Sequence, residues 1–277
     1  MNTTPLSSRA DPAAAGASAA APLVSVVMPA YNAAAVLGRA VASVRAQTLA
    51  DWELLIADDG SRDGTGALAR AEAAREPRIR VLALPENRGA AAARNLALAA
   101  ARGRYIAFLD ADDTWLPQKL ARQVGWMQAE GIAFSYTSYL RGDGQAWSLR
   151  RAPASVTRRQ LLRGNAIGCL TAVCDRQMLG DFTMPGFRRR QDYALWLQLL
   201  RRVPQAHGLD EPLACYWREK GRASLSSNLL KGARGTLQVY REQEQLSWPL
   251  ALWCLLRHLS RHLRPRRRRP LPPGAAP

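Results

Sequence analysis

The stretch "FLDADDTW", Phe108 to Trp115, hangs Asp110, Asp112, Asp113 and Thr114 on the end of an apolar run. Such a cluster supports two opposite chemistries. Asp110 could be a nucleophile that accepts a phosphoryl group, or the carboxylates could hold a divalent cation against the diphosphate of a nucleotide. Side chains at i and i+2 of a regular strand point to opposite faces, so Asp110 and Asp112 can share a cation only where the chain leaves the strand. The position just after Leu109 allows that. All-oxygen ligands select hard ions such as Mg2+ or Mn2+, which keep waters and accept substrate phosphates as further ligands. A cation held there would stabilise charge building on a departing diphosphate.

Three other stretches carry residues of the same kind. In "DDGSRDGT", Asp58 to Thr65, Asp63 or Ser61 suits a helix N-cap, while a carboxylate at a strand tip could also accept from a base imide or a ribose hydroxyl. "PENRGAAAARN" offers Asn87, Gly89, Arg94 and Asn95 at the opening of a small-residue helix. Arg94 there is a solvated arginine, an internal partner for an aspartate, or a counter-charge beside a diphosphate. In "RRRQDYALWLQLL", Asp192 opens a helical pattern and is either an N-cap or a general base able to take a proton from an attacking hydroxyl.

The elements that must position these residues are read from periodicity. Leu23 to Met28, Trp52 to Ala57, Ile79 to Leu84 and Tyr105 to Leu109 are apolar runs of the kind buried on both faces. Ala34 to Ala46, Thr65 to Arg75 and Ala90 to Arg102 alternate with them and have helical composition without internal proline. This alternation predicts an α/β chain, Rossmann-like, with a mainly parallel central sheet flanked by helices; ligands of such sheets bind beyond the carboxyl ends of the strands. The polar stretches fall after the four successive strands, at that edge. Beyond Pro117 the pattern becomes α+β: a helix ending before Gly131, a hairpin around Gly142 to Gly144, strands over Ile167 to Val173 and Leu213 to Trp217, and an amphipathic helix over Tyr193 to Arg202 with Leu and Trp on one face.

The phosphoryl-accepting reading corresponds to the D-x-D-x-T pattern of haloacid-dehalogenase-type phosphatases, which needs its motif near the start of the fold and a later lysine and acidic pair. Here about four strand and helix units precede the motif, and neither Lys220 nor Lys231 precedes a strand ending in paired aspartates. The cation reading is the stronger one. A net charge of +17 and a pI near 11.0 favour an anionic partner. No specific nucleic acid is expected, because much of the charge is spread out and the C-terminal run matches no base-reading motif.

Cys169, Cys174, Cys215 and Cys254 stand too far apart for a C-x-x-C zinc site and suit free thiols in a reducing cytosol. Residues 1–22 lack a basic start leading into an apolar stretch and are expected to be a disordered leader. At the other end, "LSWPLALWCLLRHLSRHLRPRRRRP" is too short to span a bilayer. Trp248, Leu250, Leu252, Trp253, Leu256 and Leu259 can share one side of a helix. That helix either packs on the core or lies on an anionic membrane surface, where each nearby basic residue adds about 1 kcal/mol.

Taken together, "VSVVMPAYNA", "DDGSRDGT", "NRGAAAARN", "FLDADDTWLPQKL" and "RQDYALWLQLL", in this order and spacing, resemble a family 2 glycosyltransferase of the GT-A fold. The resemblance covers roughly Pro22 to Tyr240. "FSYTSY", "GNAIGCLTAVCDRQMLGDF" and "QDYALWL" are most similar to bacterial cell-envelope polysaccharide enzymes such as the teichuronic acid glycosyltransferase group. It implies a glycosyltransferase domain over 23–245, and the residues after it read as an amphipathic helix and basic tail over 246–277. The implied activity is transfer of one sugar, with inversion, from a nucleotide-sugar donor, UDP by family habit, to a glycan or polyprenyl-linked acceptor. It implies Mg2+ or Mn2+ at Asp110 and Asp112, with Asp112 the direct ligand. Pro29, Tyr31, Asn32, Asp58, Asp59, Asn87, Gly89, Arg94, Asp110 and Ala111 are implied to surround the nucleotide, and Asp192 to be the base. Gln191 stands where the family commonly has Glu, and the Q-x-x-R-W element of processive synthases is absent. A cytoplasmic place is expected from the free thiols, at the inner face of the cytoplasmic membrane if the C-terminal helix lies on that surface. The alternative is an inactive nucleotide-binding scaffold of an envelope assembly complex.

Overall fold

The computed structural model describes residues 21–218 and 229–263. The leader expected over 1–22, apart from its last two residues, and the basic run after Leu263 lie outside them. The first half alternates as its periodicity requires. β1 (Val24–Ala30), β2 (Trp52–Asp58), β3 (Ile79–Ala83) and β4 (Tyr105–Phe108) pair in parallel in the spatial order β3-β2-β1-β4. They are joined by α1 (Ala34–Arg45), α2 (Thr65–Arg75) and α3 (Ala90–Ala100).

Continuous apolar strands arise because both faces of the sheet are covered. Val24, Val26 and Met28 of β1 join a core with Leu37, Val41 and Val44 of α1 and Ala69 of α2. Val27, between them in sequence, joins the opposite core with Ala93 and Ala97 of α3. The same alternation divides Leu54 and Ile56 from Leu55 in β2. Each fully buried Leu or Ile contributes about 2 kcal/mol.

The second half extends the same sheet in the order β4-β9-β6-β10-β5. It comprises β5 (Thr114–Trp115), α4 (Lys119–Glu130), β6 (Phe134–Gly142), β7 (Trp147–Arg150), β8 (Ser155–Val156), α5 (Arg158–Leu161), β9 (Val173–Asp175), α6 (Arg176–Leu179), α7 (Gln191–Leu199), β10 (Ala206–Trp217), α8 (Leu229–Gln238) and α9 (Trp248–Leu263). Gly131 ends α4 in the left-handed conformation, at φ 63°. Asp143 makes the hairpin turn by accepting from the Gln145 and Ala146 amides. β9 is antiparallel to both β4 and β6, so it stitches the parallel half to the rest.

Two sequence expectations change. Of Ile167 to Val173 only Val173 is strand, and Cys169–Thr171 forms a 3-10 turn. The Leu170 and Thr171 carbonyls accept from the Trp115 indole and the Gln123 amide, so side chains use the groups a ladder would need. The helix over the 190s is buried all round rather than one-sided: Tyr193, Ala194, Leu195, Trp196, Leu197 and Leu199 are all 0% exposed. Trp196 meets Phe108 and Phe134, and Tyr193 meets Tyr240 and His258.

Lys119 is also fully buried. Its ammonium end lies 4.4 Å from the Trp115 ring centroid and donates to Gln123 Oε1 at 2.8 Å. Burial lowers its pKa to about 7. Between that value and the unfolded lysine's, roughly 10.4, the unfolded chain binds a proton that the folded chain releases, so stability rises with pH across the interval. Burial raises the thiols of Cys169, Cys174 and Cys215, which act in the opposite sense at higher pH. Chemical denaturation between pH 7 and about 8.5 should therefore show stability increasing for the wild type and a flatter profile for Lys119→Met.

Candidate active site

The polar stretches meet at the carboxyl edge of β1 to β4, linked by hydrogen bonds. After β1, Asn32 takes φ 45°, donates its amide to Ser61 Oγ at 3.0 Å and accepts from the Arg62 amide at 3.0 Å. The neighbouring Tyr31 is 46% exposed, and Pro29 is partly buried. Asp63 accepts from the amides of Ala34 and Thr65, while Thr65 Oγ1 accepts from the Ala33 amide. The openings of α1 and α2 are thus held by one loop, but neither Asp63 nor Ser61 is the N-cap expected from the sequence: that position is Gly64, at φ 89°, and Asp63 reaches the Thr65 amide from the residue before it.

Asp58 and Asp59, adjacent in sequence, have different surroundings. Asp58 accepts from the Ser61 amide at 3.1 Å. Asp59 accepts from Asn87 Nδ2 and from the amides of Arg88 and Gly89 at 2.7 to 3.0 Å, which clamps the loop after β3. Gly60 lies where these loops touch, and a Cβ there would sit 2.6 Å from the Glu86 carbonyl carbon. Gly89 opens α3 at φ 91° and ψ 158°, a conformation essentially restricted to glycine.

Arg94, in the second turn of α3, is 5% exposed and pairs with Asp110. The internal-partner reading of this arginine describes its contact. Burial opposes the guanidinium charge, but the negative charges of Asp110 and Asp192 outweigh it and raise its pKa. Its Nε and Nη1 are buried without a hydrogen-bond partner. The next residue, Asn95, exchanges two hydrogen bonds with the Met184 backbone, fixing α3 to the segment that leads into α7.

After β4 the chain turns at once, with the Asp113 amide donating to the Asp110 carbonyl at 3.0 Å. Asp110 and Asp112 are therefore on a turn and partly exposed, while Ala111 is buried. Asp113 is 2% exposed. Burial first, then the neighbouring Asp112 and Asp110, push its pKa well above the carboxylate range, against a hydrogen bond from the Trp217 amide. The Trp217 indole also donates to Thr114 Oγ1, and Arg39 stacks on that ring while donating to the Asp112 carbonyl.

Asp192 is in the first turn of α7, inside the helix; the N-cap is Arg190, at φ 64°. Burial raises the Asp192 pKa, as does Asp110, while the Tyr193 amide, Arg94 and Arg190 lower it. Arg94 and Asp110 form an ion pair, and the charges of both act on Asp192, although α3, β4 and α7 are far apart in sequence. Gln191 beside Asp192 is 7% exposed.

The donor set fits the hard divalent ion implied by the resemblance. Among the described residues no three Asp, Glu, His or Cys side chains converge as a metal cage. Two partly exposed carboxylates on a turn match an ion that keeps waters and takes its remaining ligands from substrate phosphates. Sequence reasoning did not single out Arg39, Arg190 or Trp217. The three-arginine run before Gln191 was the available signal for Arg190; nothing local marks the other two.

A family model described as glycosyl transferase family 2 matches residues 25–189. A protein of Bacillus subtilis named for teichuronic acid biosynthesis, the glycosyltransferase TuaG, is 43% identical over 86% of this chain and 94% of its own length. The Escherichia coli UDP-Glc:alpha-D-GlcNAc-diphosphoundecaprenol beta-1,3-glucosyltransferase WfgD is 39% identical over 76% of this chain and 81% of its own. Among solved structures, S. aureus TarS 1–349 in complex with UDP-GlcNAc aligns with a TM-score of 0.66 at 19% identity, covering 87% of this chain and 72% of that one. The Pyrobaculum calidifontis mannosyltransferase PcManGT, in complex with GDP-Man and Mn2+, aligns with a TM-score of 0.62 at 20% identity, covering 88% and 71%. The structural likenesses establish the shared fold.

Because buried Asp59 accepts from two backbone amides and an asparagine, its removal releases the loop after β3 from the end of β2. Asp59→Ala should lower the unfolding free energy by about 2 kcal/mol, read by urea denaturation.

Proposed function

The chain belongs to glycosyl transferase family 2, and on that premise we propose that it transfers a single sugar, with inversion, from a UDP-sugar to a hydroxyl of a polyprenyl-linked glycan in cell-envelope polysaccharide synthesis. The observation that carries this reading is the ion pair of buried Arg94 with Asp110 on the turn after β4, two charges that also act on Asp192, the proposed base. UDP is favoured by the names of WfgD and of the TarS complex, and a diphosphoundecaprenol-linked acceptor by the name of WfgD. A polyprenyl-linked acceptor fits a reaction at the inner face of the cytoplasmic membrane.

In this mechanism the carboxylate of Asp192 takes the proton of the acceptor hydroxyl, whose oxygen attacks the anomeric carbon as the bond to the diphosphate breaks on the opposite face. The raised pKa of Asp192 strengthens it as a base, while the lowering influence of Arg94 and Arg190 keeps its ionised form accessible. Asp110 and Asp112 would hold Mg2+ or Mn2+, which supplies charge stabilisation to the diphosphate. Asp58, Tyr31 and Asn32 border the place for the base and ribose, and Asn87, Gly89 and Ala111 complete the rim. Asp59 supports that rim by holding the loop that contains Asn87 and Gly89.

Calorimetric titration with UDP, GDP and dTDP, each with and without Mn2+, tests the donor class. Metal-dependent UDP binding is expected, weakened at least about tenfold in Asp112→Ala, the scale of losing a charge-assisted interaction. Failure of every nucleotide to bind would leave the scaffold alternative. Asp192→Asn should retain UDP binding and lose about 10²- to 10⁴-fold in kcat, the usual range for a general base.

The pH profile tests the base separately. Activity should fall as pH drops through an Asp192 pKa above the ordinary aspartate value. Arg190→Gly, compatible with φ 64°, removes a charge that lowers that pKa and should move the acid limb to higher pH.

A further inference from the structure

The outer side of α9 does not look like the solvent face of a core-packed helix. Ala251, Cys254 and His258 are its buried stripe, directed at the core that includes α7. The opposite side should then be polar. Instead Trp248 (57% exposed), Leu252 (47%), Trp253 (40%) and Leu256 (67%) stand outside, with Pro249 among them and Leu250 farther round. The helix is apolar on both sides, and no described residue covers its outward stripe.

Arginines rim that stripe. The Arg241 guanidinium lies 4.7 Å from the Trp248 ring centroid, and Arg163 and Arg257 lie 5.0 Å and 5.5 Å from that of Trp253. No acidic residue occurs in α9, and the sequence continues through Arg264 and Arg266 to Arg269. Pairing this face with a second copy would set arginine rims close to one another. A protein partner would need a complementary acidic rim around an apolar centre. An anionic lipid surface offers that combination, acyl chains beneath negatively charged headgroups, and tryptophan and arginine are suited to its boundary. No helix among the described residues is long and apolar enough to cross a membrane. With 16 residues, α9 is about 24 Å long and would lie in the interface plane.

We infer that α9 is an in-plane anchor whose Trp248, Leu252, Trp253 and Leu256 enter an anionic membrane interface while its arginines meet the headgroups. The inner side of the same helix is tied to the active-site helix. His258 packs edge-on against Tyr193 at 5.6 Å, and Tyr193 donates to the Leu161 carbonyl and bonds to Tyr240 at 3.1 Å. Tyr193 adjoins Asp192. One helix thickness, about 10 Å, therefore separates the lipid-facing stripe from the helix bearing the base. That short separation suits the lipid-linked acceptor on which the proposed function rests; vesicle binding itself needs neither donor nor acceptor.

The test is co-sedimentation of the full chain with vesicles of phosphatidylglycerol and phosphatidylcholine, against pure phosphatidylcholine. Wild type and Leu252→Glu/Leu256→Glu are compared, and UDP titration of the same samples confirms that the site is intact. The expected result is preferential binding to the anionic vesicles, lost at least tenfold in the double variant while nucleotide binding is unchanged. Equal binding by wild type and variant would overturn the inference and assign attachment to the basic tail. Equal binding to both vesicle types would overturn its anionic requirement. Absence of vesicle binding would overturn it altogether, and a dimer dissociated by the double variant in sedimentation velocity would then assign the stripe to a second copy. A chain that binds UDP but not lipid refutes the anchor alone, and one that binds lipid but no nucleotide refutes the enzyme reading alone.

Discussion

Asp110, Asp112 and Asp113 crowd the turn after β4, and Asp110 also acts on Asp192; carboxylates gathered in that way repel one another unless positive charge or protons are supplied. The fold supplies both from within. Arg94, buried in α3, holds Asp110 and lowers the pKa of Asp192, while burial favours the protonated form of Asp113. The guanidinium cannot move far, because Asn95 ties the same helix to Met184 and Asp59 grips the loop that starts it. The charge balance of the site and the placement of α3 are therefore one constraint.

That constraint explains why so many bonds at the strand tips run between loops. Asn32 connects the first loop to the second, Asp59 the second to the third, and Arg94 the third to the fourth. The second half joins through Trp217, whose amide and indole hold Asp113 and Thr114, and through Met184, which exchanges two hydrogen bonds with Asn95 ahead of α7. A loop held by its neighbours on both sides keeps its carboxylates in place before substrate arrives, which is the condition for electrostatic catalysis at low reorganisation cost.

Much of this was legible in the sequence. The four apolar strands could be read because both cores are apolar, and the loops because their residues collect at successive carboxyl ends. The resemblance supplied the family, which the comparisons show, and assigned roles to Asp110, Asp112 and Asp192, which remain part of the proposal. What escaped reading depends on distant partners. The 190s helix is buried on every side because Tyr240 and His258 return from the C-terminal end to cover it. The 167–173 stretch is denied strand geometry by Trp115 and Gln123. Nothing local in either stretch could reveal those neighbours.

The position of β9 also has a consequence for how the chain reaches its native state. This strand of three residues lies between β4 and β6 in the sheet, yet follows both in sequence. Until Val173 to Asp175 have been synthesised, β4 is an edge strand, and such an edge invites pairing with other chains. The ladder is also built from non-local contacts, which slow folding. The two halves are interlocked by a late strand, so the chain should fold as one cooperative unit, with a ribosome-bound interval during which β4 remains exposed.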